Sequence, residues 1–246
     1  MIHELVTPRQ VAAACDDDDL VVWAAQDLTG GARAWAGGQA VLAAAPDICR
    51  RDRIAVWGHP ADAADLVRHA LAELGPGYRP FGETTLMGEV IDRVEGVERT
   101  HGFSWMSLDQ LPIGPSDGVS WLEGSFDGEI TRLLAADAPT AFATPGLPGV
   151  ARWAGARVDG ALAAVAADAW SAPTVGFMAG VATAAAQRGR GLAGRVCRWL
   201  SGRLVAAHGR AALMVDDGNA AALGLYAALG YRRRPVAVAA VSAAAA

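Results

Sequence analysis

The chain has 246 residues, of which 52% are hydrophobic and 19% charged, and its formal net charge is −5. This apolar share excludes an intrinsically disordered chain, and the length suits one large domain or two small ones. The acidic excess disfavours a nucleic-acid-binding protein, because phosphate contacts dominate the affinity of such proteins. All 21 basic residues are arginines, which excludes a P-loop lysine and a lysine Schiff base.

Cysteine and histidine usage favours a reducing compartment and a protein without a metal site. Cys15, Cys49 and Cys197 lie far apart, and the five histidines show no HExxH pattern. The N-terminus MIHELVTPRQ lacks the basic and apolar regions of a signal peptide, so a cytoplasmic protein is expected. The apolar stretch 161–186 contains a proline and Asp168, which disfavours a membrane span.

The first half of the chain predicts helices and short strands. Residues 1–20 are expected to be helical. The acidic run 16–19 is interpreted as a solvated helix end or turn and not as a cation site. Residues 53–57 (RIAVW) predict a buried strand, and the apolar spacing between Pro60 and Gly75 predicts a helix after it. This strand and helix form a βα unit.

A segment rich in proline and glycine, 111–117 (LPIGPSD), predicts a domain boundary. We therefore expect an N-terminal α/β domain of unknown role over 1–114 and a second domain over 115–246. In the second domain the patterns predict strands at 119–122, 150–156, 161–170, 175–183, 211–215 and 236–241, and helices at 127–136 and 219–229. A further helix follows from the i+4 spacing of Leu192, Val196, Leu200 and Leu204. The tail 243–246 is expected to fray.

The most informative segment is 181–193 (VATAAAQRGRGLA), where a strand leads through a glycine-rich loop into a helix. The first N–H groups of a helix lack internal partners and its dipole makes that end positive, so a pyrophosphate fits there. Arg188 and Arg190 would add charge-assisted donors, and Gly189 and Gly191 would let the backbone approach a ligand. A tight turn with solvated arginines explains the same pattern, and on this loop alone both interpretations stay open.

The loop also contains a literal GxGxxG, 189–194, which is typical of dinucleotide-binding proteins. Asp216 and Asp217 follow about twenty residues later, where such a fold keeps its ribose-binding acid. A dinucleotide turn follows its strand at once, whereas about five residues separate Thr183 from Gly189 here. An NAD(P)-dependent oxidoreductase is therefore kept as the third alternative.

Two motifs in order carry a resemblance to a known family. Arg188, Gly191 and Ala193 form R-x-x-G-x-A, and residues 219–231 read NAAALGLYAALGY. The chain thereby resembles the GNAT superfamily of acyl-CoA N-acyltransferases, whose Q/R-x-x-G-x-G/A loop binds the pyrophosphate of coenzyme A. The clear resemblance covers about 175–231, and a weaker one reaches back to about residue 119.

The resemblance implies an α/β (α+β) fold with a mixed, mostly antiparallel sheet flanked by helices, preceded by a second α/β segment. The layout is loosely similar to two-part glycine-N-acyltransferase-like members, with 1–114 as a degenerate GNAT-like half. The activity implied is transfer of an acetyl group from acetyl-CoA to a primary amine by direct attack. The expected acceptor is a small-molecule or peptide amine, with no nucleic acid, membrane or metal. Exposed strand edges are compatible with a homodimer.

Site residues follow from the resemblance position by position. In the family the strand before the loop splays from its neighbour, and its backbone contacts the pantetheine arm. The expected cofactor-binding residues are Val181, Ala182, Thr183, Arg188, Gly189, Arg190, Gly191, Leu192, Ala193 and Asn219. Tyr226 matches the tyrosine that protonates the departing thiolate. Each of these two residues also has a structural alternative. Tyr226 would pack in the core, and Asn219 would act only as a helix N-cap.

No motif identifies the general base. Asp168 is the best candidate, because it is the only charge in a long apolar stretch and a buried carboxylate marks a candidate functional site. A strand-end aspartate facing water is its alternative, and Glu123 is a weaker candidate. Trp153 and Trp170 either line an acceptor pocket or pack in the core. The strand 175–183 carries no acid, which favours the second function considered, a non-catalytic acyl-CoA-binding or regulatory module.

Overall fold

The computed structural model describes residues 1–242 and divides into two compact units. Unit 1 comprises Met1–Trp105, Val215–Gly218 and the chain from Arg233 onward, and unit 2 comprises Met106–Met214 and Asn219–Arg232. Each unit is therefore built from separated stretches of sequence. The tail 243–246, expected to fray, lies outside the described residues.

Unit 1 begins with a small strand and two short helices, followed by three antiparallel strands and a βαβ crossover. Its elements are β1 His3–Leu5, α1 Pro8–Ala14, α2 Asp19–Ala24, β2 Arg33–Gly37, β3 Ala40–Ile48, β4 Arg51–Gly58, α3 Pro60–Leu74, β5 Arg79–Glu83, α4 Thr84–Ile91 and β6 Val97–Leu108. Ile54 and Val56 on β4 pack against Leu66 and Val67 of α3, which forms the core on that face of the sheet.

Unit 2 repeats much of this order, again with a strand–helix–strand crossover after a run of antiparallel strands. Its elements are β7 Val119–Leu122, α5 Asp127–Asp137, β8 Val150–Val158, β9 Ala161–Ala169, β10 Gly176–Thr183, α6 Leu192–His208, β11 Ala211–Val215 and α7 Ala220–Ala228. The last strand, β12 Arg232–Val241, lies in unit 1 from residue 233.

The sheet is mixed and mostly antiparallel, as the resemblance predicted. The strand order is β1-β2-β3-β4-β5-β12-β6 in unit 1 and β11-β10-β9-β8-β7 in unit 2. β4 pairs with β5 in parallel and β10 pairs with β11 in parallel, and in each pair a helix makes the crossover. The α/β fold class predicted from the sequence is therefore confirmed.

Helix α6 has the amphipathic face that its sequence predicted. Leu192, Val196, Leu200 and Leu204 are all buried, and the helix packs on β9 and β10. On its other side Arg198 donates through Nε to the carbonyl oxygen of Ile113, at 3.0 Å. The strand predicted at 211–215 and the helix predicted at 127–136 are also present, the helix extending to Asp137.

The prediction that residues 1–20 are helical is wrong. β1 occupies His3–Leu5, and α1 starts only at Pro8 because Thr7 forms a capping box with Gln10. The acidic run then separates two helices, and Asp18 caps α2 by accepting from the N–H groups of Leu20 and Val21. Local capping chemistry divides a stretch whose composition alone favours one helix.

β12 starts four residues before the predicted position 236, at Arg232. A run of three arginines disfavours a strand by composition, but here each one has a carboxylate partner. The partners are Asp109 for Arg232, Asp217 for Arg233, and Asp18 with Asp19 for Arg234.

Within residues 1–242 no helix is long and apolar enough to cross a membrane, and no group of three or more His, Cys, Asp or Glu side chains could hold a metal ion.

Candidate active site

Strand β10 carries a bulge at Gly180. Ala179 pairs with Ala167 and Ala182 pairs with Val165, so β10 has one residue more than β9 between these pairs. Gly180 has a φ of +60°, and a Cβ at this position would lie 2.6 Å from Cη2 of Trp153. Only glycine fits both the left-handed backbone and the close ring, so the bulge is fixed by this residue.

β10 and β11 separate soon after they begin. Their parallel register consists of Gly176 with Ala211 and Phe177 with Ala212, although β10 continues to Thr183. The divergence expected from the family resemblance is therefore present. Beyond Phe177 the edge of β10 that faced β11 has backbone groups that this pairing does not use. Unused strand edges can hydrogen-bond an extended ligand.

The three residues expected to contact the pantetheine arm follow the bulge. Ala182 is buried, and Val181 and Thr183 are half-buried. The Thr183 hydroxyl oxygen is buried without a hydrogen-bond partner in the described part of the chain, as is the Trp153 indole nitrogen. A buried polar atom without a partner is unfavourable, so both atoms mark places where a ligand or water would add a hydrogen bond.

The strand–loop–helix pattern predicted at 181–193 is confirmed. β10 ends at Thr183, a single 3-10 turn spans Ala185–Gln187, and α6 begins at Leu192. Gly189 and Gly191 have φ values of +75° and +73°, and no atom lies within 4 Å of the Cβ position of either. There is thus open space beside both glycines, and the first N–H groups of α6, on Leu192 and Ala193, follow directly after them.

The two arginines of the loop play different parts. Arg188 donates through Nη2 to Oδ1 of Asp137 at 3.1 Å and through Nε to the Thr183 carbonyl oxygen at 3.3 Å. The same Asp137 oxygen accepts from the N–H of Ala185 at 2.9 Å, so Arg188 and Asp137 together brace the loop. Arg190 remains exposed and donates to the side-chain oxygen of Gln187. Direct contact of either arginine with a pyrophosphate stays a prediction.

Asn219 caps helix α7. Its Oδ1 accepts from the N–H of Ala222 at 3.1 Å, so the N-cap interpretation of this residue is confirmed. Its contact with a cofactor stays a prediction. The helix that it caps packs near the start of α6, since Leu225 Cδ1 lies 3.4 Å from the Cβ position of Gly194.

Tyr226 lies on α7 and is buried. Its ring meets that of Tyr231 edge-on at a centroid distance of 5.8 Å. Burial raises the pKa of Tyr226 well above the usual 10, and the neighbouring Cys197 and Tyr231 raise it further. The Tyr231 hydroxyl is hydrogen-bonded to Ser201 at 2.7 Å. The Tyr226 hydroxyl therefore keeps its proton at neutral pH, as a proton donor must.

Asp168 is 4% exposed, so the alternative of an aspartate facing water is wrong. Its carboxylate accepts from Arg152 Nε at 3.2 Å and from the Ser171 hydroxyl at 2.6 Å. The Ser171 oxygen in turn accepts from the N–H of Phe177 at 2.8 Å. Asp168 thus joins the end of β9 to the start of β10, and its role as base stays a prediction.

The other candidates from the sequence lie in different settings. Glu123 is exposed and comes directly before a 3-10 turn at Gly124–Phe126. Trp153 and Trp170 are both buried, as their core interpretation predicted. Trp153 differs from Trp170 in that its ring touches the bulge, whereas Trp170 packs against Gly149.

Comparison with known proteins agrees with this geometry. Residues 155–239 match the model of the FR47-like protein family. The fold is similar to a GCN5-related N-acetyltransferase from Kribbella flavida, with a TM-score of 0.59 at 20% identity over 91% of this chain and 95% of that one. For a GNAT-family acetyltransferase from Colwellia psychrerythraea the TM-score is 0.56 and the identity 14%, and the match covers 98% of both chains. For a GCN5-related N-acetyltransferase from Sphaerobacter thermophilus the TM-score is 0.56 and the identity 17%, and the match covers 97% of this chain and 94% of that one.

Residues 155–239 thus match the FR47-like family, and the fold of the chain is similar to that of GNAT acetyltransferases. No curated protein matches the sequence. The GNAT fold disagrees with the dinucleotide alternative, because β9 and β10 are antiparallel and a dinucleotide fold needs a mostly parallel sheet. The literal GxGxxG at 189–194 thus forms the turn into α6 and the first residues of that helix.

Two residues of this candidate site were not found from the sequence. Asp137 braces the loop from the last position of α5, and Gly180 forms the bulge. No sequence pattern distinguishes an aspartate at a helix end that contacts a distant loop, such as Asp137, from one that is solvated. A glycine inside a predicted strand does indicate a bulge or a close contact, and this signal could have identified Gly180.

Proposed function

We propose that the protein is an N-acetyltransferase that moves an acetyl group from acetyl-CoA to the primary amine of a small molecule or peptide. The observation that carries the proposal is the combination on β10 of a bulge at Gly180, divergence from β11 after Phe177 and a glycine-rich loop into α6. Each feature alone has a structural explanation. Together they offer an extended ligand a strand edge next to a positive helix end.

The proposed binding mode uses backbone groups more than side chains. The edge of β10 at Val181 and Thr183 would hydrogen-bond the pantetheine arm. The N–H groups at the start of α6, with Gly189, Gly191 and Ala193 around them, would hold the pyrophosphate. Arg190 is exposed and would add charge, while Arg188 keeps the loop in place.

The chemistry is one displacement at the thioester carbonyl. The amine nitrogen forms a bond to the carbonyl carbon, the bond from that carbon to sulfur breaks, and the amine loses a proton. Negative charge develops on the carbonyl oxygen, and removing one N–H donor to such an oxygen typically costs about 10²–10³ in rate. Tyr226 would give its proton to the departing thiolate. Asp168 remains the candidate to receive the amine proton.

Titration calorimetry with acetyl-CoA, beside NAD and NADP, tests the cofactor. We expect micromolar affinity for acetyl-CoA, no nicotinamide signal, and weaker acetyl-CoA binding in Arg190→Gln. Arg157→Gln is the matched control, because Arg157 is partly exposed and pairs with Glu129 on α5. Release of free coenzyme A over a panel of amines then tests turnover. Absence of acetyl-CoA binding would contradict the proposal.

One observation favours a second candidate, an acyl-CoA-binding protein without turnover. The carboxylate of Asp168 already accepts from Arg152 and Ser171, so both of its oxygens are engaged in contacts that hold the strand ends together. Acetyl-CoA binding with no coenzyme A release across the amine panel would favour this candidate. Turnover that depends on Tyr226 would exclude it.

A further inference from the structure

Unit 1 carries a cluster of arginines on one face of its sheet, apart from the features described in unit 2. Arg53 of β4 and Arg79 of β5 are register partners in the parallel pair. Arg51 precedes Arg53 by two positions on the same strand. Because side chains alternate between the two faces of a sheet, all three arginines project from one face.

Arg53 is the central member of this cluster. It is only 7% exposed, its Nε donates to the Ile48 carbonyl oxygen at 3.2 Å, and its guanidinium carbon lies 5.6 Å from the centre of the Phe81 ring. Within residues 1–242 no carboxylate forms an ion pair with Arg51, Arg53 or Arg79. A buried cation without an opposite charge is unfavourable, so the terminal nitrogens of Arg53 are ready to bind an anion.

His101 lies beside the arginines on the same face. Phe103, two positions later on β6, lies 6.2 Å from Phe81 between ring centres, which places this part of β6 beside the cluster. Burial lowers the pKa of His101, and Arg53, Arg79 and Arg51 lower it further. The His101 ring also forms a hydrogen bond with the Thr100 hydroxyl at 2.9 Å.

Nearby acids do not balance this charge. Asp52 lies between Arg51 and Arg53 in the sequence and alternates to the opposite face, where it accepts from the N–H of Asp47 at 2.9 Å. Asp216 is the carboxylate that acts on His101, and its Oδ1 accepts from the N–H of Gly218 at 2.7 Å. The face therefore keeps three cationic side chains around a small aromatic floor.

The N-terminus of α3, also in unit 1, is a poorer place for an anion than the arginine cluster. α3 begins directly after β4 at Pro60, without a glycine-rich loop. Asp62, in its first turn, accepts from the N–H of Gln39 at 3.0 Å and brings negative charge to that end. The arginine cluster therefore offers an anion more positive charge than the start of α3 does.

We propose that Arg51, Arg53, Arg79 and His101 form a binding site for an oxyanion, the carboxylate or phosphate group of a small molecule. Guanidinium groups match both anions with paired N–H donors, and the phenylalanine rings beneath exclude water from the contact. The inference does not depend on acetyl transfer, because it concerns residues of unit 1 alone.

Calorimetry tests the site with inorganic phosphate and with succinate, at an ionic strength held constant with sodium chloride. We expect saturable binding of at least one anion, and the two arms tell phosphate from carboxylate. Arg79→Gln should weaken the binding of that anion about 10-fold or more, which is the loss expected for one charged hydrogen bond. Arg68→Gln is the matched control in unit 1, since Arg68 lies on α3 and pairs with Asp65 at 2.7 Å.

Arg53→Gln should weaken anion binding more than the other variants do. If the Arg53→Gln protein does not fold, Arg51→Gln and Arg79→Gln together test the site. Arg190→Gln separates this site from the loop of unit 2 and should leave the anion affinity unchanged. The proposal is overturned when neither anion binds saturably. It is equally overturned when binding survives Arg79→Gln and is lost in Arg190→Gln.

Discussion

The guanidinium of Arg188 and the carboxylate of Asp137 form an ion pair, 3.1 Å between Nη2 and Oδ1, that ties the loop after β10 to the end of α5. The Asp137 side chain is 13% exposed, and its oxygen also holds the Ala185 N–H. One acid thus satisfies two donors of a loop whose glycines alone would leave it mobile.

Replacing Asp137 with alanine should weaken acetyl-CoA binding while changing kcat less, because the loop that would hold the pyrophosphate loses its brace. The loss of one charged hydrogen bond predicts about a 10-fold rise in Kd, measured by calorimetry. Glu129→Ala, on the same helix, removes a carboxylate that is more exposed than that of Asp137 and pairs with Arg157, so it should leave Kd unchanged. Equal effects of the two variants would contradict a specific role for Asp137.

Replacing Tyr226 with phenylalanine should lower kcat by about 10², the low end for general acid catalysis, with little change in acetyl-CoA affinity. Since burial holds the pKa of Tyr226 well above 10, this residue should add no basic limb to the kcat profile between about pH 7 and 9. Steady-state kinetics across this range checks both expectations.

Tyr231→Phe is the control for Tyr226, because it removes a buried hydroxyl that binds Ser201. It should cost about 1 kcal/mol in the free energy of unfolding and leave kcat nearly unchanged. Unaltered turnover in Tyr226→Phe would assign Tyr226 to packing alone.

Two glycine variants should differ in stability. Gly180→Ala places a Cβ 2.6 Å from the Trp153 ring at a φ of +60°, so backbone strain of about 1–2 kcal/mol combines with overpacking of about 1–3 kcal/mol. Gly189→Ala has a φ of +75° and open space, so only the backbone cost applies. Urea unfolding of both variants measures the difference. Equal losses would mean that Trp153 yields easily to the added methyl group.

The three cysteines should be inert in the folded protein. Burial raises the pKa of Cys15 to about 11 and those of Cys49 and Cys197 to about 12. At pH 8 almost no thiolate is present, so dithiodipyridine should react slowly with native protein and with all three thiols after denaturation in guanidinium. Fast reaction of the native protein would show that one of these sites opens readily.

The same shifts predict how stability depends on alkaline pH. The folded thiols bind protons more tightly than the unfolded thiols, whose pKa is about 9. Their contribution to stability is complete below about pH 9 and is lost as the pH rises through the folded pKa values. Chemical denaturation at several pH values checks this sign.

Local patterns in the sequence predicted the local structure well. The i+4 spacing of Leu192, Val196, Leu200 and Leu204 was sufficient for α6, because a buried helix face needs only this periodicity. The motif at 219–231 likewise predicted α7 with its Asn219 cap. These elements depend on residues close together in the chain.

Features that depend on distant partners could not be predicted. Asp137 meets a loop far along the chain, and the bulge at Gly180 depends on the register with β9. Arg53 stood in a predicted buried strand, yet nothing in RIAVW shows that its charge has no carboxylate partner within residues 1–242. Such contacts follow from tertiary packing, which periodicity does not encode.

The pairing of β12 with β5 has a consequence for how the protein is made. Phe81 and Val238 are register partners within unit 1, although the whole sequence of unit 2 lies between them. A chain emerging from the ribosome therefore completes unit 2 before unit 1 receives its last strand. Until then the edge of β5 is unpaired, and unpaired edges invite association with other chains. Folding during synthesis therefore requires that the edge of β5 be kept from other chains until β12 has been made.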